Sequence, residues 1–72
     1  MQFNEIMRAK REDMDIRQED LGKEIGLTQR KISRLERGDT QPTIEEIKKI
    51  CIFFNLSADY LLGIIDEPRQ IK

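Results

Sequence analysis

The sequence has no histidine, no tryptophan and only one cysteine, Cys51. A lone cysteine cannot form an internal disulfide, which favours a reducing compartment such as the cytoplasm. Without histidine, a structural zinc site or a Cys–His nucleophile cannot be assembled. We therefore expect no metal and no cofactor, and we assign Cys51 to the apolar face of a helix.

Long apolar runs are also missing. No segment approaches the length of a membrane span, and acidic residues interrupt the N-terminus where a signal peptide would be apolar. A chain of 72 residues forms one small domain with little room for an active-site cleft. Carboxylate pairs such as Glu45 and Glu46 lie on exposed helical stretches, with no pocket to perturb a pKa. The sequence predicts a cytoplasmic protein that is neither an enzyme nor bound to a membrane.

The charge is nearly balanced overall but uneven along the chain. Thirteen basic and fourteen acidic side chains give a net charge of −1. Residues 17–37 have six basic and four acidic side chains, residues 1–16 have three and four, and residues 38–72 have four and six. Only the middle segment is positive. A local basic patch is enough for a nucleic-acid surface, so the net charge does not exclude one.

This middle segment predicts two short helices joined by a tight turn. The first helix runs from about Gln18 to Ile25, where Gly26 breaks it. The second runs from about Gln29 to Arg37, between a Thr28 N-cap and a stop at Gly38. Glycine is the residue that most easily takes the left-handed conformation past a helix end.

The second of these helices has two different faces. At about 100° per residue from Thr28, Ile32 and Leu35 fall near 40° and 340°. Three arginines fall on the opposite side, near 180–240°: Arg30, Arg34 and Arg37. Guanidinium groups on an exposed helix face can pair with base edges and phosphates in a DNA major groove. Charge alone would equally suit a solvated face; the preceding helix and the glycine turn favour DNA binding.

The rest of the chain predicts three more helices. The first has apolar residues near helical spacing, Phe3, Ile6, Met7 and Met14, and ends near Asp15, after which Ile16 turns inward. The fourth begins at a Thr43–Glu46 capping box and has one apolar face, formed by Ile44, Ile47, Ile50, Cys51 and Phe54. A left-handed Asn55 ends it, and the fifth helix, Ala58 to Leu62, lies between a Ser57 cap and Gly63. We predict an all-α five-helix bundle over residues 1–65, followed by a flexible C-terminal tail, residues 66–72.

These features resemble the Cro/C1-type helix-turn-helix domain (the XRE family) of phage repressors and small bacterial regulators. The resemblance covers about residues 3–63, and Leu-Glu-Arg-Gly at 35–38 is its most specific part. It rests on Arg11, Ile16, Gln18, Leu21, Gly26, Thr28, Ile32, Leu35, Glu36, Gly38, Pro42 and the Ser57–Leu62 segment. It implies a lambda-repressor-like fold in which the second and third helices form the DNA-binding unit.

The resemblance also implies roles for individual residues. Base edges would be contacted by Gln29, Arg30, Ser33 and Arg34. The sugar-phosphate backbone would be contacted by Arg17, Gln18, Thr28, Arg37, Thr40 and Gln41. Gln18 would in addition brace the recognition helix, and Arg11 and Glu36 would form a structural ion pair.

Three positions depart from the family pattern. Arg17 replaces the usual Ser, Thr or Asn cap, which removes a capping bond of about 1 kcal/mol but could provide a phosphate contact. Gly22 replaces the usual alanine and keeps the position small. Asp39 stands where a basic residue is common, and an acid beside phosphates weakens DNA binding.

Two functions follow as expectations. The first is a sequence-specific regulator of transcription that binds double-stranded DNA, acting as a repressor by occupying an operator. The alternative, for which Asp39 and the acidic pI leave room, is an antitoxin-like or adaptor module that acts mainly through a protein partner. We also expect a homodimer on DNA that is weak without it. Its contact surface would include apolar residues that the core does not need: Ile52, Phe53, Ile64 and Ile65.

Overall fold

A computed structural model describes residues 2–65, 67–68 and 70–71, which form five α-helices and no strands. The helices are α1 (Phe3–Asp13), α2 (Gln18–Ile25), α3 (Gln29–Arg37), α4 (Ile44–Phe54) and α5 (Ala58–Leu61). The predicted all-α five-helix fold is confirmed. The predicted tail includes Asp66, Arg69 and Lys72, which lie outside the described residues. None of the helices described is long and apolar enough to cross a membrane.

The predicted helix boundaries are largely confirmed. Gly26, Gly38 and Asn55 end their helices in the left-handed conformation, with φ of 75°, 79° and 54°. Three hydroxyl caps accept a backbone N–H from the first turn of their helices: Thr28 from Lys31, Thr43 from Glu46 and Ser57 from Tyr60. Helix α5 ends one residue earlier than predicted, because Leu62 is already the C-terminal cap.

The core lies where α1 and α2 pack against the inner face of α3, α4 packs against α2, and α5 packs against α1 and α4. Its fully buried large side chains come from all five helices: Ile6, Met7, Leu21, Ile32, Leu35, Ile50 and Leu61. Half-buried apolar residues pack around them, including Ile16, which turns inward after α1 as predicted. The inner stripe of α3 is thereby fixed against the bundle, and its outer face remains open.

Three apolar residues differ from the prediction. Ile44 was placed on the buried face of α4, yet it is 75% exposed because it is the first residue of the helix, one turn before the buried part begins. Met14, counted in the apolar pattern of the first helix, is exposed as the cap residue after α1. The sequence predicts that the core does not need Phe53, yet Phe53 is half-buried and packs against the core. Its ring meets that of Phe54 edge to face, with the ring centroids 5.1 Å apart.

Gly22 has a specific reason to be glycine. A Cβ at this position would lie 2.4 Å from the carbonyl oxygen of Leu27, which is far closer than van der Waals contact. The Leu27 amide in turn donates to the Gly22 carbonyl at 2.8 Å. The turn between α2 and α3 therefore packs directly on the α2 backbone, which sets the spacing of the two helices.

Candidate nucleic-acid interface

The outer face of α3 is exposed and basic. Arg30 and Arg34 are both exposed, and within the described part of the chain neither forms an ion pair. Gln29 is exposed beside them, and Ser33 is half-buried. Three of the four residues expected to contact bases are therefore exposed on α3, Ser33 is half-buried next to them, and both guanidinium groups are available for a ligand.

A polar network of four side chains connects this face to the rest of the bundle. Arg11 on α1 donates from Nε and Nη2 to the two carboxylate oxygens of Glu36 at the end of α3, at 2.7 and 3.1 Å. Gln18 on α2 donates from Nε2 to Oε1 of Glu36 at 3.1 Å. Gln29, the first residue of α3, donates from Nε2 to Oε1 of Gln18 at 2.7 Å. The network thus links both ends of α3 to α1 and α2.

The charged members of the network are largely removed from water. The Glu36 side chain is 2% exposed and that of Arg11 is 12% exposed. Arg11 also donates from Nη1 to the Ile16 carbonyl at 2.8 Å, so its guanidinium group donates hydrogen bonds to two different partners. The hydrogen bond to Glu36 is the main reason that the pKa of Arg11 is raised above its ordinary value. A bidentate, nearly buried pair of this kind is rigid.

The network also determines what Gln29 and Gln18 can offer a ligand. Each amide nitrogen has two hydrogens, and each uses one of them inside the network. Gln29 therefore keeps its carbonyl oxygen and one N–H for a ligand, the pair that glutamine uses on adenine. Gln18 keeps one N–H, which suits a phosphate oxygen.

Two arginines expected at phosphates already have acidic partners. Arg17 contacts Glu19 at 2.8 Å and Asp20 at 3.1 Å, and its hydrogen bond is the main cause of the lowered pKa of Asp20. Arg37 contacts Asp39 at 2.9 Å. All of these side chains are well exposed, and exposed ion pairs contribute little free energy. A phosphate could replace the carboxylates, although Asp39 would remain a nearby negative charge.

The other residues expected at phosphates lie on either side of α3. Thr28 is exposed at its N-terminus, where its hydroxyl accepts the Lys31 amide at 3.1 Å. Thr40 is half-buried and Gln41 is exposed in the loop after α3. A helix inserted in a DNA groove requires groups at both of its ends that can contact the sugar-phosphate backbone.

One ion pair between two helices was missed from the sequence. Lys31 Nζ lies 3.6 Å from Oε2 of Glu46, with side chains that are 29% and 12% exposed. The capping box placed Glu46 at the start of α4 but gave it no partner outside the helix, and helical periodicity cannot show which helix lies opposite. The signal available was the position of Lys31, near 300° on the wheel that begins at Thr28, between the apolar stripe and the basic face.

The residues expected at a dimer contact fall on separate surfaces. Ile52, which is 70% exposed, and Phe53 line an apolar groove of about 270 Å³ between α2 and α4, together with Glu24, Ile25 and Lys49. Ile64 is equally exposed but follows α5 and does not line the groove; Ile65 beside it is half-buried. Ile64 and Ile65 therefore lie outside the groove that Ile52 and Phe53 line.

Neither a metal-binding cluster nor a reactive cysteine is found among the described residues. Among them, no three His, Cys, Asp or Glu side chains are grouped so as to hold a metal ion. Cys51 is buried, and burial raises the pKa of its thiol. The thiolate is the reactive form of cysteine, so this side chain is an inert part of the core.

Two short helices joined by a tight turn, with the second presenting a basic outer face, define a helix-turn-helix domain. Comparison with known protein families agrees with this assignment: the family described as "Helix-turn-helix" matches residues 7–61. The chain belongs to this family, in its Cro/C1-type branch. It is a family of DNA-binding regulators and not of enzymes.

Similar proteins include both a repressor and a transcriptional activator. Repressor protein C2 of Salmonella phage P22 is 40% identical over 60 residues, which cover 83% of this chain and 28% of that protein. The HTH-type transcriptional activator BcrR of Enterococcus faecalis is 34% identical over 63 residues, which cover 88% of this chain and 31% of that protein. The chain thus spans less than a third of the length of either relative.

Two solved structures have the same fold. The crystal structure of the P22 c2 repressor in complex with a synthetic operator matches with a TM-score of 0.82 and 36% identity, covering 88% of this chain and 96% of that one. The solution structure of the P22 c2 repressor DNA-binding domain matches with a TM-score of 0.78 and 36% identity, covering 85% and 80% of the two chains.

Proposed function

We propose that this chain binds double-stranded DNA sequence-specifically by inserting α3 into the major groove, and that it regulates transcription as a repressor that occupies its operator. The observation that supports this most directly is the outer face of α3, where Arg30 and Arg34 are exposed, have no acidic partner among the described residues and lie beside an oriented Gln29. The operator named for the P22 c2 structure is consistent with this function.

The residues divide into two groups by what they would contact. Gln29, Arg30, Ser33 and Arg34 face the base edges, with the arginines suited to guanine O6 and N7. Contacts to the phosphates come from Arg17, Gln18, Thr28, Arg37, Thr40 and Gln41, which fix the position of α3 without adding sequence information. Repression requires only that the bound protein blocks its site. One relative is named an activator, so an assay of regulation must allow for both signs.

Action mainly through a protein partner, as an antitoxin-like or adaptor module, is the second candidate. Two observations favour it. Arg17 and Arg37 are paired with acids of this same chain, and the apolar groove beside Ile52 is open. The two candidates differ in a measurable way, because a protein-binding module would show no preference among DNA sequences.

Replacing Arg34 with alanine tests the DNA-binding function. A preferred site is first selected from a random DNA pool, and binding is then titrated at fixed moderate salt. Arg34→Ala should weaken binding to that site by about 1–3 kcal/mol and relax one base position, because a bidentate contact to guanine is lost. Gln18→Ala should weaken binding more evenly across sequences. Arg8→Ala is the control: it removes an exposed arginine of α1 that pairs with Glu12 on the same helix.

The outcomes separate the candidates. If Arg34→Ala and Gln18→Ala bind like the unaltered chain, α3 is not the recognition helix. If the selection yields no preferred sequence, the protein-partner function is favoured over the DNA-binding one.

We further propose that two copies bind DNA as a homodimer, weakly associated in its absence. One recognition helix contacts only a few base pairs, and two copies related by a two-fold axis would contact half-sites about 34 Å apart. Of the candidate surfaces, the end of the bundle after the last helix presents an exposed Ile64 beside a half-buried Ile65. Ile52 and Phe53 form a second, separate candidate at the groove.

A titration on a palindromic site beside a half-site tests the dimer. The unaltered chain should bind the palindrome more tightly than the half-site, because two copies support each other there. The double change Ile64→Asp/Ile65→Asp should remove that advantage, and Ile52→Asp is the matched change at the other surface. Equal affinity for both sites, unaffected by either change, would contradict the dimer.

A further inference from the structure

Helix α3 is anchored by polar contacts on three sides. Its last turn is connected to α1 through Glu36 and Arg11, and its first residue to α2 through Gln29 and Gln18. The third contact, Lys31 to Glu46, connects the first turn of α3 to the first turn of α4. Among the described residues it is the only ion pair between these two helices.

Glu46 is held in place from both directions. Its Oε1 accepts the Thr43 amide at 2.9 Å, and its own amide donates to the Thr43 hydroxyl at 3.1 Å. The remaining oxygen, Oε2, faces Lys31 at 3.6 Å. The acid is therefore a fixed partner for the ammonium group, because its capping bonds leave it little rotational freedom.

Lys31 lies at the border between the buried and the basic faces of α3. At about 100° per residue it is some 60° from Arg34 and 40° from Leu35. A lysine at such a border can point either toward α4 or toward a DNA backbone beside α3. Its Nζ lies 3.6 Å from Oε2 of Glu46, so it points in the first direction.

We infer that Lys31 and Glu46 form a positioning pair that sets how α3 meets DNA and withholds one cation from the phosphates. The inference rests on the proposed DNA-binding function and adds a residue of α4 to the determinants of specificity. The pair acts through the placement of Arg30 and Arg34, not by touching bases. By neutralising Lys31, Glu46 also limits sequence-independent binding, which depends on phosphate contacts.

Glu46→Gln is the informative change because the amide oxygen of glutamine can still accept the Thr43 N–H. The cap is kept and only the charged contact to Lys31 is lost. The ratio of specific to non-specific affinity should fall by about fivefold, the scale of one partly exposed ion pair. The released lysine should gain a phosphate, so the plot of log affinity against log salt should steepen by about 0.9.

Three further variants make the test specific. Lys31→Gln should lower the ratio by a similar factor without a steeper salt slope, and the double variant should lose little beyond either single change, because both remove the same contact. Glu45→Gln is the matched control: it removes the same charge from the neighbouring residue, which is exposed and contacts Lys48 on its own helix. It should leave the ratio unchanged.

The salt slope distinguishes this inference from a purely structural role, since lost stability alone does not add a phosphate contact. Titration of the unaltered chain and of Arg34→Ala in the same assay tests the proposed function separately. If the unaltered chain discriminates between sequences and Glu46→Gln matches it in both ratio and slope, the inference is wrong and the proposed function stands. Independent, additive effects of Lys31→Gln and Glu46→Gln would also overturn it. If the unaltered chain does not discriminate, both fall.

Discussion

Replacing Glu36 with alanine should destabilise the fold by about 3–5 kcal/mol. The carboxylate is nearly buried and accepts hydrogen bonds from Arg11 and Gln18. Its removal leaves a poorly solvated guanidinium whose one remaining hydrogen-bond partner in the described part of the chain is the Ile16 carbonyl. Glu36→Gln should cost less, because an amide oxygen can still accept one of these bonds. Urea unfolding followed by circular dichroism gives the free energies.

The matched control lies on the surface. Glu12→Ala also removes an acid that pairs with an arginine, Arg8, but both of those side chains are more than half exposed. Its expected cost is under about 1 kcal/mol. A loss below about 0.5 kcal/mol for Glu36→Ala would show that the Arg11–Glu36 pair is as weak as a surface pair.

A second large effect is expected within α4. Ile50 is fully buried, and Ile50→Ala should cost about 2–5 kcal/mol through lost apolar burial and the cavity left behind. A domain of this size has a total stability on the order of 4–11 kcal/mol, so this variant could be largely unfolded. Ile50→Val, with an expected cost of about 0.5–1.5 kcal/mol, keeps the effect measurable.

Ile44 provides the control on the same helix and with the same residue type. It shares the predicted apolar face with Ile50 but is 75% exposed, so Ile44→Ala should change stability by less than about 0.5 kcal/mol. Equal losses at the two positions would mean that α4 packs along its whole length, in contradiction to the structure.

The contrast between Ile44 and Ile50 shows what periodicity can predict. Spacing gives the direction in which a side chain leaves its helix, and for Ile32, Leu35 and Ile50 that direction is into the core. It does not give the extent of the neighbouring helices. Ile44 has the correct direction, but it lies one turn before the buried part of α4 begins.

Helix ends were predictable because they depend on local chemistry. Three helices end at residues that readily take the left-handed conformation, Gly26, Gly38 and Asn55, and this preference is visible in the sequence. The starts of α3 and α4 are capped by Thr28 and Thr43, each of which accepts the amide three residues later. The pairing of Lys31 with Glu46 was not predictable. It depends on two helices meeting across fifteen residues of chain, which local sequence chemistry does not encode.

The sequence predicts which residues form the candidate site better than it predicts the contacts between them. The basic face of α3 follows from its angular spacing, and the family resemblance suggested Arg11 with Glu36. The hydrogen bond from Gln29 to Gln18 and the acidic partners of Arg17 and Arg37 needed coordinates, since each depends on which rotamer an exposed side chain adopts.

The fixed amide of Gln29 also has an entropic consequence. A free glutamine on a helix surface samples many rotamers, and holding it in one costs up to about 2 kcal/mol of conformational entropy. Here the hydrogen bond to Gln18 removes much of that freedom during folding, before any ligand arrives. In the proposed complex Gln29 would therefore meet its base already ordered, and the association would lose less entropy than the exposed position of this side chain suggests.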